Sequence, residues 1–214
     1  MEAGCAYRDW ISLIKETPHG RFDISRLHQR AKTHLSEAIK LAETSDNFYR
    51  TVDGLVDLLV LYAAVGDRSL YVQTEQRLEA VIPKDHLITA ENGGKPVSKD
   101  ESTIFPFIGK LFALRGHREM EIHLSSEQPW RRLRTPQLEN AIEQYFLSLQ
   151  YYREFDADRD FRDLRRTTTD IHSRLQQLRS TERREINEIL TKIEKKYHLS
   201  SSVLRDILQR RAFI

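Results

Sequence analysis

The chain has 214 residues, 39% of them hydrophobic and 31% charged, with a formal net charge of +2. That length can bury about 70% of the surface an unfolded chain exposes, and eight glycines and six prolines are too few for a protein of many short, turn-linked strands. The small net charge excludes a global field drawing the chain to nucleic acid or anionic lipid, although the residues up to Phe107 sum to about −3 and the rest to about +5. A lone Cys5 excludes an internal disulfide and fits a reducing compartment. No uninterrupted apolar stretch reaches roughly 18 residues, and no basic, apolar, small-residue leader pattern begins the chain. The expectation is an all-α, cytoplasmic protein that neither spans a membrane nor is secreted by that route.

Tyr7, Trp10, Ile11 and Ile14 share one face of a first short helix that Pro18, His19 and Gly20 end. Asp23 is placed to cap the next, where Ile24, Leu27, Ala31, Leu35, Ala38, Ile39 and Ala42 fall on one stripe through about six turns. The longest apolar run, residues 55–65, is broken only by Asp57 and closed by Gly66 and Asp67. It predicts a buried helix capped by Ser45 or Asp46 and stopped by Gly66. A partner helix carries Leu70, Thr74, Leu78, Val81 and Ile82 as far as Pro83. A helix apolar round most of its circumference needs neighbours on several sides, so other helices must surround this hairpin.

Residues 84–102 break the pattern with Gly93, Gly94, Pro96 and Ser98, over a length that predicts a mobile insertion. Helices resume at Thr103. Phe105, Ile108, Leu111, Phe112 and Arg115 lead to a break at Gly116, followed by a short helix over 117–124. Thr135 and Pro136 open a helix with a broad aromatic face of Leu138, Ala141, Ile142, Tyr145, Phe146, Leu149 and Tyr152. Then Phe161, Leu164, Thr168, Ile171, Leu175 and Leu178 keep alternating steps of three and four, a heptad seam for a neighbouring helix or for a second copy of the chain. The phase slips beyond Ser180, where Ile186, Ile189, Leu190, Ile193 and Tyr197 make one stripe and Val203, Leu204, Ile207 and Leu208 another. The expected domains are a helical array over 1–180 and a C-terminal hairpin over 181–214 packed on it.

Two stretches are self-similar. Phe105, Ile108, Gly109, Phe112 and Gly116 stand at the spacing of the first helix and turn of a tetratricopeptide repeat, and so do Leu55, Leu58, Leu59, Tyr62, Gly66 and Asp67, with Pro83 as the closing proline. Trp10 with Leu13, and Leu138, Ala141, Ile142 and Tyr145, are fainter echoes. About half the chain thus resembles that family. The pattern departs at Tyr71 and Glu121, where a small residue is usual, and at Glu75 and Ser125, where an aromatic is. The resemblance implies stacked antiparallel helix pairs in a right-handed α-solenoid, and a groove that binds a peptide or partner helix. The groove positions it implies are Arg8, Ile11 and Lys15, then Asp53, Val56 and Val60, then Thr103 and Lys110. An apolar Val56 and Val60 predict either an apolar ligand strip or coverage by one of the chain's own helices.

No catalytic or cofactor motif is present in the sequence: no His-Glu-x-x-His, no Gly-x-Ser-x-Gly, no dinucleotide fingerprint, and no metal-spaced cysteines. Gly93, Gly94 and Lys95 lack the first glycine of a phosphate loop, because Thr89 occupies its position. His117 with Glu121, or Glu119 with His123, offers two ligands, which make a poor metal site. Basic residues cluster around Trp130 and in the last third of the chain, most with an acid three or four positions away, as Glu188 is to Lys192. The last hairpin can be read as a helix-turn-helix presenting Ser201, Ser202 and Arg205 to a nucleic-acid groove, with Arg210 and Arg211 nearby. The functional expectation is a non-enzymatic protein–protein interaction or adaptor module without cofactor or metal. The alternatives are a nucleic-acid-binding or regulatory protein using Arg205, Arg210 and Arg211, and a scaffold subunit self-associating through the heptad seam.

Overall fold

The computed structural model describes residues 24–91, 104–125, 136–154 and 161–209. Among these the chain is all-helical and falls into two compact units that divide between Pro83 and Lys84. The C-terminal hairpin, expected over 181–214 and packed on the preceding helices, belongs to the second unit. The first expected helix, the Asp23 cap and the segment around Trp130 lie outside the described residues.

The first unit contains α1 (Ile24–Thr44), α2 (Phe48–Val65) and α3 (Arg68–Val81). The stripe on α1 buries Ala31, Leu35, Ile39 and Ala42, and α2 packs against both α1 and α3. The cap of α2 differs from expectation. Asn47 supplies it, its side-chain oxygen accepting the Arg50 N–H at 3.1 Å. Ser45 is committed elsewhere, its hydroxyl donating back to the Leu41 carbonyl at 2.8 Å. Asp46 stands at φ +52, a left-handed turn position that a short polar side chain tolerates. Gly66 does stop α2, at φ +76, with the Asp67 N–H donating to the Tyr62 carbonyl. The Asp67 carboxylate then accepts the Leu70 N–H and starts α3, and Arg77 on α3 donates to Glu43 at the end of α1.

The second unit contains α4 (Phe105–Leu124), α5 (Pro136–Glu154), α6 (Phe161–Gln176), α7 (Ser180–Tyr197) and α8 (Ser202–Gln209). Helix α5 is its axis. It packs on α4, α6, α7 and α8, and every residue from 145 to 152 is buried, including Ser148 and Gln150.

The break expected at Gly116 does not exist, since α4 runs through it without interruption. The glycine is there for contact. A Cβ at Gly116 would sit 2.5 Å from the Tyr145 ring and 3.2 Å from the Ala141 carbonyl oxygen; one at Gly109 would sit 3.0 Å from the Tyr152 ring and 3.2 Å from the Ser148 carbonyl oxygen. Two glycines seven positions apart on α4 thus face two tyrosines seven positions apart on α5, running the other way. Bare backbone lets the antiparallel pair close up onto the rings. The turn that the repeat pattern requires after Phe105 is therefore absent from this copy.

The C-terminal half of the α6 seam is used inside the chain, while Leu164 and Thr168 are half-buried. Ile171, Leu175 and Leu178 are buried, with Leu178 just beyond the helix end, and α6 packs on α4, α5 and α8. The mobility expected from residue 84 does not describe residues 84–88. Lys84–His86 form a 3-10 turn, and His86 and Ile88 are buried; residues 92–103 lie outside the described set.

Candidate interaction surface

The groove positions implied by the repeat separate into three groups. Arg8, Ile11, Lys15 and Thr103 lie outside the described residues. Lys110 is half-buried on α4 in the second unit. Asp53, Val56 and Val60 fall on one stripe of α2 together with Tyr49. Along that stripe Tyr49 is 40% exposed, Asp53 and Val60 are half-buried, and Val56 is completely buried. Of the two alternatives for Val56, an apolar ligand strip or coverage within the chain, the second describes it. Asp53 lies 3.7 Å from Arg50 one turn back, an ion pair on the wet side.

Among the described residues, one large apolar side chain that periodicity did not select stands furthest into solvent. Leu41, on the last turn of α1, is 70% exposed. The signal for it was available, because a leucine beside Ala42 lies off the α1 stripe and must point away from the packed face. Leu41 and Tyr49 flank the same turn between α1 and α2. In the second unit Ile122, near the end of α4, is 39% exposed.

The two histidines singled out for chemistry, His117 and His123, are engaged in holding helices. His117 Nδ1 lies 3.0 Å from the Tyr145 hydroxyl, joining α4 to α5. Burial, helped by the nearby Arg174 charge, lowers the histidine to about 3, and burial raises the tyrosine well above its usual range. Near neutral pH both are uncharged, so the pair is a hydrogen bond between neutral groups. His123 Nε2 lies 3.0 Å from Glu182 Oε1, both side chains essentially inaccessible, and Glu182 Oε2 accepts the Arg179 N–H at the start of α7. One carboxylate thus caps α7 and fastens it to the end of α4. These contacts engage both histidines of the candidate metal pairs, while Glu121 is exposed. Among the described residues no cluster of three or more metal-ligating side chains occurs.

Two of the residues expected to face a groove from the α7–α8 hairpin, Ser201 and Arg205, are engaged within it. Ser201 is buried, and its N–H and hydroxyl both donate to Glu194 Oε1, at 2.9 and 2.6 Å. Arg205 turns back onto α7, donating to Glu194 Oε2 at 3.0 Å, to Ser201 Oγ at 2.9 Å and to Asn187 Oδ1 at 3.2 Å. Burial alone would raise the Glu194 carboxyl, but the hydrogen bonds from Ser201 and Arg205 outweigh it and hold the group at about 2. The guanidinium assigned to a nucleic-acid backbone is the bolt of its own hairpin. Arg210 and Arg211 lie outside the described residues. Cross-helix pairs recur along α5 and α7: Lys192 approaches Glu139 at 3.9 Å, whereas the sequence suggested Glu188, and Glu143 accepts from both Lys196 and the Tyr197 hydroxyl.

Among the described residues no helix is long and apolar enough to cross a membrane. Compared with known protein families, with curated proteins and with solved structures, the chain matches none of them.

Proposed function

We propose that the chain is a non-enzymatic interaction module that binds a peptide or partner helix on a helical surface, and that the docking face lies on the α1–α2 hairpin. The observation that carries the reading is the pair Leu41 and Tyr49, 70% and 40% exposed on either side of one turn. Half-buried Val60 extends the same side of α2. Large apolar side chains left in water are what an amphipathic partner helix covers. The second unit supports the reading in another way, for His117, His123, Tyr145 and Arg205 make hydrogen bonds that tie its helices together. The stacked right-handed arrangement of tetratricopeptide repeats and a cytosolic location belong to the same proposal, the latter resting on the single cysteine.

The test is capture from a native extract followed by cross-linking from position 49. Leu41→Glu with Val60→Arg should reduce capture of the cross-linked partner at least about tenfold, the loss expected when charge enters an apolar contact. Val56 is left untouched because an arginine there would disrupt the fold. Equal capture by a variant of unchanged helicity overturns the assignment.

A further inference from the structure

The Tyr151 hydroxyl makes two hydrogen bonds to a stretch of backbone far away in sequence. It accepts the Ile88 N–H at 2.6 Å and donates to the His86 carbonyl at 3.0 Å. A phenol that donates and accepts at once stands in for a peptide group and satisfies two buried backbone atoms. The ring is held on two sides, stacked on Phe112 at 5.5 Å and edge-on to Phe105 at 5.8 Å. Its position is therefore set by α4 and α5, and residues 86–88 conform to it. The side chains of His86 and Ile88 are buried alongside.

These residues open the second unit. The last backbone bond of the first unit is the Ile82 N–H to the Leu78 carbonyl, and the division falls one residue later. Between that bond and the Tyr151 hydroxyl stand only Pro83 and the start of the Lys84–His86 turn, whose Lys84 carbonyl accepts the Leu87 N–H. We infer that Tyr151 is a latch: its hydroxyl fixes the point where the chain enters the second unit and keeps the joint between units to about three residues, and its release lengthens that joint without unfolding the helices behind it. Burial raises the phenol well above its usual range, so the hydroxyl keeps across ordinary pH the proton it donates to the His86 carbonyl. The inference does not rest on the interaction reading.

Hydrogen exchange on the full chain tests it, first in the wild type. The Ile88 amide should be protected, and should open with a smaller denaturant dependence than the Leu190 amide in α7, because only the segment around residues 86–88 comes loose. Exchange at the rate of an unstructured peptide, or opening together with Leu190, overturns the latch. Tyr151→Phe should then raise Ile88 exchange about ten- to a hundredfold, the effect of stranding one buried donor, while Leu190 keeps its protection. An unchanged Ile88 rate shows that the hydroxyl holds nothing. Loss of protection at both amides shows that Tyr151 is a core residue and no latch.

Discussion

Each unit has a buried helix at its centre, and the two are buried by different means. Helix α2 hides aliphatic side chains: Val52, Leu55, Val56, Leu59 and Leu61 are wholly inaccessible, and the helix is delimited by its own Asn47 and Gly66. Helix α5 hides aromatic rings with polar tips and sends those tips to other elements: Tyr145 to His117, Tyr151 to residues 86–88, Tyr152 to Thr167, and Gln150 to the Ser200 carbonyl at 2.9 Å. The first arrangement depends on area removed from water, which is indifferent to direction. The second depends on atoms meeting at fixed distances, so it specifies which helix goes where. Stability in the first unit should thus respond to volume, and in the second to geometry.

The largest expected effect is a volume effect. Leu59→Ala should destabilise the first unit by about 3 kcal/mol, the typical loss for a fully buried leucine, read as reduced hydrogen-exchange protection in α1 and α2 with α5 and α7 unchanged. Equal loss in both units would erase the contrast. Next comes the geometric counterpart, in which a single added methyl does the damage. Gly116→Ala should cost about 2 kcal/mol although alanine favours helix, because its Cβ displaces the Tyr145 ring and with it the His117 bond. A stabilised Gly116→Ala protein in chemical denaturation would show that the close approach of α4 and α5 is dispensable.

A smaller effect separates the units by pH. His117 is held at about 3 against 6.5, so the unfolded chain binds a proton there first, and stability falls as pH drops from about 6.5 toward 3. Glu194 is held at about 2 against 4.5, and its contribution, complete above 4.5, is lost as pH falls toward 2. Both groups sit in the second unit. In the first, His28 is also lowered by burial, with the Asp67 charge opposing. Between pH 6 and 3, amides of Ile189 and Leu190 should therefore lose protection ahead of those of Leu55 and Leu59. The reverse order would count against the geometric account of the second unit.

What the sequence revealed follows the same division. Helix α2 was legible because its apolar run, its glycine stop and its partner helix lie within some forty consecutive residues. The aromatic face of α5 was legible too. Its complete burial was not, because Ser148 and Gln150 score as polar wherever they stand and only the fold supplies their surroundings. Gly116 was misread because glycine serves both turns and close contacts, and the ring that decides between them lies on another helix. Tyr151 gives no local signal at all, since its partners are 63 and 65 positions away. Leu41 could have been recognised by its phase alone. That α2 and α3 pair as a hairpin was readable, but nothing in periodicity says which faces of α1 and α2 stay uncovered.

The bolt formed by Arg205 bears on how the charge of the C-terminal hairpin should be counted. A polyanion visiting α8 would have to outcompete a carboxylate that is already seated, intramolecular, and joined to the guanidinium through the shared Ser201 hydroxyl. Adding up lysines and arginines along this stretch therefore overstates the positive charge on offer, and a variant at Arg205 would loosen the hairpin before it altered any attraction for a visitor.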